Sequence, residues 1–219
     1  MARAHWSGAV CLVLGATLTL ATARPVAARP GRGDTVEEAR RQALGAVVTV
    51  TGTVTVPTNA FDGGFALQQE ASGIYVVDSL GGSYALGARV EVTGVLIDSS
   101  GLLALQPTTI RAAGRGRPVE PSCASTGAVG EATEGRLLRV HGTMRGALVD
   151  DSPYGFKLEI DDGSGPVQLF LYPGTGISTA GLVDGADLSV VCFSSQFETH
   201  YECDPREPGD LRVENRHHR

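Results

Sequence analysis

Two acidic pairs, Asp150-Asp151 and Asp161-Asp162, are the first residues in this chain whose types could carry chemistry. Clustered carboxylates can hold a divalent metal ion, and a metal-dependent phosphoesterase needs such a cluster, usually with a catalytic histidine. Each pair is followed directly by residues that favour turns. No glutamate closes a twelve-residue calcium loop after either pair. Hairpin turns are therefore the favoured interpretation, and a calcium site is the alternative.

The remaining candidates for catalysis are the histidines, of which His141 and His200 lie inside the folded region that we predict. Neither has a cysteine or carboxylate at a metal-ligand spacing, so we interpret both as surface residues. The sequence also contains no Gly-x-Ser-x-Gly elbow, no phosphate-binding loop and no Cys-x-x-Cys pair. We predict a protein that is not an enzyme, with no cofactor and no bound metal.

Positive charge is grouped at two places, and such groups could bind an anion. Arg111, Arg115 and Arg117 form one group, and Arg206, Arg212 and Arg216 form the other. If the fold brings the two groups together, an anion-binding groove would form between them. The whole chain has a net charge of −6, so a strongly basic nucleic-acid-binding surface is not expected.

Residues 1–28 have the pattern of a signal peptide. Arg3 precedes an apolar run of about 15 residues, and small residues at Val26-Ala27-Ala28 offer a cleavage site. A membrane span needs roughly 20 apolar residues. We therefore predict a secreted or periplasmic protein with no membrane anchor.

Three cysteines follow the predicted signal peptide, at Cys123, Cys192 and Cys203. Export favours a disulfide. The spacing of Cys192 and Cys203 suits two strands of one hairpin, so this pair is favoured, and Cys123 is then free or bonded to another chain. Pairing of Cys123 with either of the others is the alternative.

The elements that would position these residues are β-strands. Residues 48–56 read VTVTGTVTV, and their alternation predicts a strand whose valines face inward and whose threonines face outward. Gly52 interrupts this strand, and Gly142 interrupts a similar stretch 90 residues later. In a small barrel the first strand must bend to pair with two neighbours, and a glycine permits the bend. We predict that Gly52 and Gly142 have this structural role.

The similarity around the two glycines continues along the chain and indicates two copies of one unit. The predicted organisation is unit 1 at 34–113, a linker at 114–124, unit 2 at 125–213 and a tail at 214–219. A capping box at Thr35 and Glu38 predicts a helix that ends near Leu44. The predicted strands are 46–57, 64–70, 73–78, 88–97 and 101–112 in unit 1, and 136–149, 155–161, 165–172, 187–195 and 199–204 in unit 2. The fold class is all-β: two tandem five-stranded OB-type barrels, each preceded by a short helix.

Three stretches resemble a known family. They are residues 127–142, the run DDGSGPV at 161–167, and the run PREPGDL at 205–211. They are similar to OB-fold modules of secreted bacterial proteins, which often stand in tandem beside nuclease, nucleotidase or phosphatase domains. The resemblance implies a binding or accessory role, including a role toward nucleic acid. This chain departs from the pattern because no enzyme domain accompanies the two units.

An OB-fold that binds nucleic acid uses exposed aromatic side chains on its second and third strands. Strand alternation sends Phe65 and Phe156 inward, and it leaves Tyr75 and Tyr172 as candidate surface platforms. We therefore expect an exported, non-enzymatic binding protein whose ligand is single-stranded nucleic acid, an oligosaccharide or a protein partner. The alternatives are an assembly subunit that recruits a separate secreted nuclease and a metal-dependent phosphoesterase.

Overall fold

The computed structural model of the protein describes residues 33–214. The predicted signal peptide, the end of the predicted tail and Arg216 lie outside the described residues. Within them, strands dominate, and they form two sheets of five and seven strands that close into OB-type barrels. The predicted all-β fold class is confirmed.

The first barrel is closed in the strand order β1-β2-β3-β5-β4. All neighbouring strands are antiparallel except β3 and β5, which run parallel. The bounds are β1 (Val47–Val56), β2 (Phe65–Gln69), β3 (Ser72–Val76), β4 (Ala88–Ser99) and β5 (Leu102–Arg115). All five were expected from the alternation of apolar residues, within a few residues at each end.

The second sheet has the order β12-β10-β11-β9-β8-β7-β6, and an additional pairing of β10 with β7 closes it. Its bounds are β6 (Ser122–Cys123), β7 (Leu137–Asp150), β8 (Phe156–Asp161), β9 (Val167–Leu171), β10 (Asp187–Phe197), β11 (His200–Asp204) and β12 (Leu211–Glu214). The strands β6 and β12 were not predicted. The first lies in the predicted linker, and both are short strands on the outer side of β7 and β10.

The single α-helix of residues 33–214, α1 (Val36–Arg40), begins with the predicted capping box between Thr35 and Glu38. It ends at Arg40, so the predicted end near Leu44 is wrong. Val36 and Ala39 are its only buried residues, and residues 41–45 are exposed. A longer helix would therefore gain no further apolar burial. Before the second barrel, a three-residue 3-10 helix at Thr126–Ala128 stands where the second helix was expected.

Gly52 lies where β1 changes its pairing partner. Thr53 pairs with Arg89 of β4 and also with Gln68 of β2. A Cβ atom on Gly52 would lie 2.6 Å from the Leu67 Cδ1 atom and 3.0 Å from the Gln68 carbonyl oxygen. A side chain at position 52 would therefore be crowded by β2, whereas the φ of Gly52, which is not in the left-handed region, sets no requirement for glycine.

Gly142 has the same position in the second barrel. Thr143 pairs with Asp187 of β10 and with Asp161 of β8. A Cβ atom on Gly142 would lie 3.0 Å from the Asp161 nitrogen. In both barrels the first long strand therefore passes between two neighbouring strands at a point where a side chain would be crowded.

The two barrels are packed closely against each other. The backbones of Gly73 and Gly135 meet so closely that a Cβ atom on either would collide with the carbonyl oxygen of the other. Arg40 donates to the Gly73 carbonyl at 3.1 Å and to the Glu134 carboxylate at 2.8 Å. The Gln68 side chain accepts a hydrogen bond from the Leu137 amide at 2.9 Å. These contacts fix the position of one barrel against the other.

This packing also buries two threonines of β1 that were expected to face outward. Thr53 and Thr55 are 8% and 2% exposed. Thr53 lies against Gly116 of the linker, and the Thr55 carbonyl accepts a hydrogen bond from Arg206 at 2.6 Å. The expected solvent face of VTVTGTVTV is thus partly covered by the linker and the second barrel.

Candidate functional site

A groove of about 680 Å³ lies on the outer side of the first barrel. It is lined by Gly52 and Thr53 of β1, by Gln69 of β2 and by the turn that follows Gln69, residues 70–71. Arg89 of β4 and the linker residues after Arg117 complete it. The glycine that permits β1 to change partners therefore also lies in the wall of this groove.

A second groove, of about 320 Å³, lies on the outer side of the second barrel. Arg139 of β7, Val191 of β10 and Arg212 of β12 line it, together with Val119 and Pro121 of the linker. Val119 lines the first groove as well. The two grooves therefore adjoin along the linker, and we call their combined surface the linker groove.

Two shallower depressions continue this surface along β7. The first, of about 330 Å³, is lined by Cys123, Arg139 and His141, and the second, of about 380 Å³, is lined by His141 and Gly142. Arg139 lines both the second groove and the first depression, and His141 lines both depressions. A continuous path thus crosses both barrels.

Five arginines line the linker groove. Arg206 is paired with Asp210, and the other four are Arg89, Arg117, Arg139 and Arg212. Arg139 is half-buried and the other three are exposed. No ion pair within residues 33–214 involves any of them. Three carboxylates also line the groove: Asp210, which is paired with Arg206, and Glu70 and Glu120, which lie in the half on the first barrel. Within the described residues, the four arginines without an ion pair therefore outnumber the two carboxylates without one, although the chain as a whole is acidic.

Of the arginines singled out from the sequence, Arg117 and Arg212 line the linker groove, one in each half. Arg111 lies 3.6 Å from Glu91 in an exposed ion pair on the β4–β5 hairpin, and it does not line the groove. Arg115 is exposed at the end of β5 and lines none of these cavities. Arg206 lines the second groove but is 8% exposed.

The guanidinium of Arg206 is committed to structure. It donates two hydrogen bonds of 2.8 Å to the Asp210 carboxylate and one to the Thr55 carbonyl of the first barrel. It therefore joins the barrels and has little capacity left for a ligand.

Sequence reasoning did not select Arg89 or Arg139 for ligand binding. Arg89 lies opposite Thr53 in the β1–β4 register, and Arg139 is a half-buried residue of β7. The one sequence feature that could have pointed to them is their place on strands near Gly52 and Gly142. These arginines line a groove only because the linker runs beside them, and the sequence does not show the path of the linker.

The prediction that Tyr75 is a surface platform is wrong. Tyr75 is 5% exposed, and its ring centroid lies 5.9 Å from that of Phe193 in the second barrel. Burial and the hydrogen bond that its hydroxyl donates to Asp62 raise its pKa. Tyr172 is half-buried, and its ring stacks on Phe61 at 4.8 Å. Both rings lie at the junction of the barrels, because each barrel covers the other on this side.

The acidic pairs occupy turns, as the favoured interpretation predicted. Asp161 accepts a hydrogen bond from the Gly163 amide at 2.7 Å, and Asp150 accepts one from the Ser152 amide at 2.9 Å. Hydrogen bonds from Ser164 and Thr126 lower the pKa of Asp162. No three acidic, histidine or cysteine side chains within residues 33–214 converge as metal ligands.

A disulfide joins Cys192 of β10 to Cys203 of β11, as the favoured pairing predicted. Both cysteines are fully buried. Cys123 is free and exposed, and it lies beside Arg139 on the continuous path described above. No helix between residues 33 and 214 is long and apolar enough to cross a bilayer.

No protein-family model and no curated protein sequence matches this chain. Solved structures to which this chain is similar include the hypothetical protein ygiW from E. coli, with 20% identity over 38% of this chain and 92% of that chain, at a TM-score of 0.33. A murine DNA-binding protein bound to double-stranded DNA has 9% identity over 78% of this chain and 98% of that chain, at a TM-score of 0.40. A Replication Protein A heterotrimer bound to single-stranded DNA has 13% identity over 78% of this chain and 49% of that chain, at a TM-score of 0.33. Scores of this size do not assign a function.

Proposed function

We propose that this chain is an exported, non-enzymatic OB-fold protein that binds single-stranded nucleic acid in the linker groove. The observation that carries the proposal is the continuity of this groove across both barrels, together with its four arginines that form no ion pair within residues 33–214. A single strand is a flexible polyanion, and a long groove with spaced arginines can follow its backbone.

The lining of the groove indicates which part of the strand is bound. Its described residues include no aromatic side chain, so the base stacking that many OB-folds use has no platform there. Arginines contact phosphates without reading sequence. The proposed binding is therefore insensitive to base sequence and strongly weakened by salt.

The buried disulfide supports the export part of the proposal. Disulfides persist in oxidising compartments and are rare in the cytosol. The bond between Cys192 and Cys203 lies in the core of the second barrel, where it is an integral part of the fold. The expected product after signal cleavage begins near Arg29, and intact-mass measurement of protein recovered from the periplasm or medium tests this.

Fluorescence anisotropy with a labelled oligothymidylate of about 20 nucleotides tests the binding, since one OB-fold covers about 4–16 nucleotides. We expect saturable binding at low salt and a steep loss of affinity as salt rises. Unlabelled oligocytidylate should compete as well as oligothymidylate does. An absence of binding at low salt, or displacement by polygalacturonate but not by unlabelled oligonucleotide, would reject nucleic acid as the ligand.

A further inference from the structure

A separate cavity of about 210 Å³ lies at the junction of the two barrels and shares no lining residue with the linker groove. Aromatic rings from both barrels line it. Phe61 stands between Tyr75 at 6.4 Å and Tyr172 at 4.8 Å, measured between ring centroids. The lining rings are Phe61, Tyr75, Tyr172, Phe193 and Phe197, and the last of these is 55% exposed.

Carboxylates accompany these rings. Asp62 and Glu202 line the cavity, one from each barrel. Asp62 accepts the hydrogen bond of the Tyr75 hydroxyl, and Glu202 accepts one from Gln168. Glu202 is only 4% exposed, so most of its surface is removed from water.

A third carboxylate, Asp204, is fully buried beside the cavity rings. Neither of its oxygens has a hydrogen-bond partner of ordinary geometry among the described residues, although Ser195 and the Phe170 amide lie near it. Burial raises the pKa of Asp204. Asp204 lies opposite Phe193 in the β10–β11 register, and its negative charge would raise the pKa values of Tyr75 and Tyr172. Asp204 is not among the residues that line the cavity, so Asp62 and Glu202 are the carboxylates that a ligand would meet.

The basic residues that act on the Glu202 carboxyl group are Lys157 and His200. Lys157 is engaged elsewhere, because its Nζ atom lies 2.8 Å from Asp151 and 5.6 Å from the centroid of the Phe170 ring. His200 is exposed. The cavity thus combines aromatic rings with an excess of carboxylates.

We propose that this cavity binds a small organic cation of the alkylammonium class. Aromatic rings attract such cations, and the attraction increases when the cation leaves water. The carboxylates repel anions. The volume of the cavity is below the roughly 300 Å³ at which drug-sized pockets begin, so the ligand must be small. No three side chains within residues 33–214 converge as metal ligands, so an organic cation is favoured over a metal ion.

Isothermal titration calorimetry with choline chloride tests this proposal, with 3,3-dimethylbutan-1-ol as the neutral probe of the same shape. We expect saturable binding of choline and at least about tenfold weaker binding of the alcohol, because only choline carries the charge that the site recognises. Choline should also shift the NMR signals of the Tyr75 and Tyr172 rings. Sodium chloride at the same concentration controls for ionic strength and should leave those signals in place.

Glu202→Gln should weaken choline binding about tenfold, since it removes one charge and keeps the shape of the side chain. Glu207→Gln removes the same charge at an exposed position outside the cavity and should leave the affinity unchanged. If Glu202→Gln does not fold, Asp62→Asn, in an exposed loop, provides the same test. Equal affinity for choline and the alcohol, or no saturable choline binding up to about 10 mM, would overturn the proposal. Oligonucleotide binding in the linker groove is measured separately, so failure of one proposal does not affect the other.

Discussion

Replacement of Arg117 by glutamine is the most informative change in the linker groove. Arg117 is exposed, lines the half of the groove on the first barrel and forms no ion pair within residues 33–214. If each of the four arginines of the groove that form no ion pair within residues 33–214 contacts one phosphate, the logarithm of the binding constant should fall with the logarithm of salt concentration with a slope of about −3. Because one contact contributes about 0.7, Arg117→Gln should change the slope to about −2.

The assay is fluorescence anisotropy with a labelled oligothymidylate at several concentrations of sodium chloride. At low salt Arg117→Gln should also weaken binding about fivefold, and equally for all base sequences, because a phosphate contact does not read the base. Circular dichroism should show an unchanged thermal transition, since the side chain is exposed.

Arg111→Gln is the matched control. It removes the same charge from the same part of the chain, but Arg111 lies outside the groove and pairs with Glu91. The slope should remain near that of the unmodified protein. Equal effects of the two substitutions would show that net charge, and not the groove, governs binding. An unchanged slope for Arg117→Gln would refute the assignment of this residue to a phosphate.

Three further predictions concern stability, measured as the free energy of unfolding in urea. Gly52→Val should lower the free energy of unfolding by about 1–3 kcal/mol because the new side chain meets the β2 backbone. Gly63→Val is the control, since a side chain at Gly63 enters open space and should change the stability little. Equal effects of the two substitutions would argue against crowding at Gly52. Gly73→Ala should lower the free energy of unfolding by about 2 kcal/mol, because the added methyl group forces the two barrels apart. The same substitution should speed proteolysis of the linker, and an unchanged proteolysis rate would contradict this prediction. Replacing Cys192 and Cys203 together by alanine should lower the free energy of unfolding by about 3 kcal/mol, because their 11-residue separation closes a loop in the unfolded chain; a loss below about 1 kcal/mol would contradict this.

Local features of the sequence were sufficient to predict the strands and the disulfide. Apolar residues alternate along β1 because one side of the strand faces the core of its own barrel. Val48, Val50 and Val54 lie in that core, as this alternation predicts. The two cysteines lie on adjacent strands of one hairpin, so their proximity also follows from local geometry.

Contacts between the barrels could not be predicted from either unit alone. Tyr75 and Thr55 have the strand positions of surface residues, and they are buried only because the second barrel covers them. The linker groove exists because residues near Val119 run between the two outer faces. Each of these features depends on the docking of two folded units, for which the sequence carries no periodic signal.

The most direct test of the proposed function uses the free thiol of Cys123, which is exposed beside Arg139 on the path that crosses both barrels. The measurement is the rate of alkylation of the peptide that carries Cys123, followed by mass spectrometry, with and without saturating oligothymidylate. We predict that the bound strand slows alkylation severalfold and that high salt, which releases the strand, restores the original rate. An unchanged alkylation rate under conditions where anisotropy shows full binding would place the nucleic acid elsewhere and contradict the account.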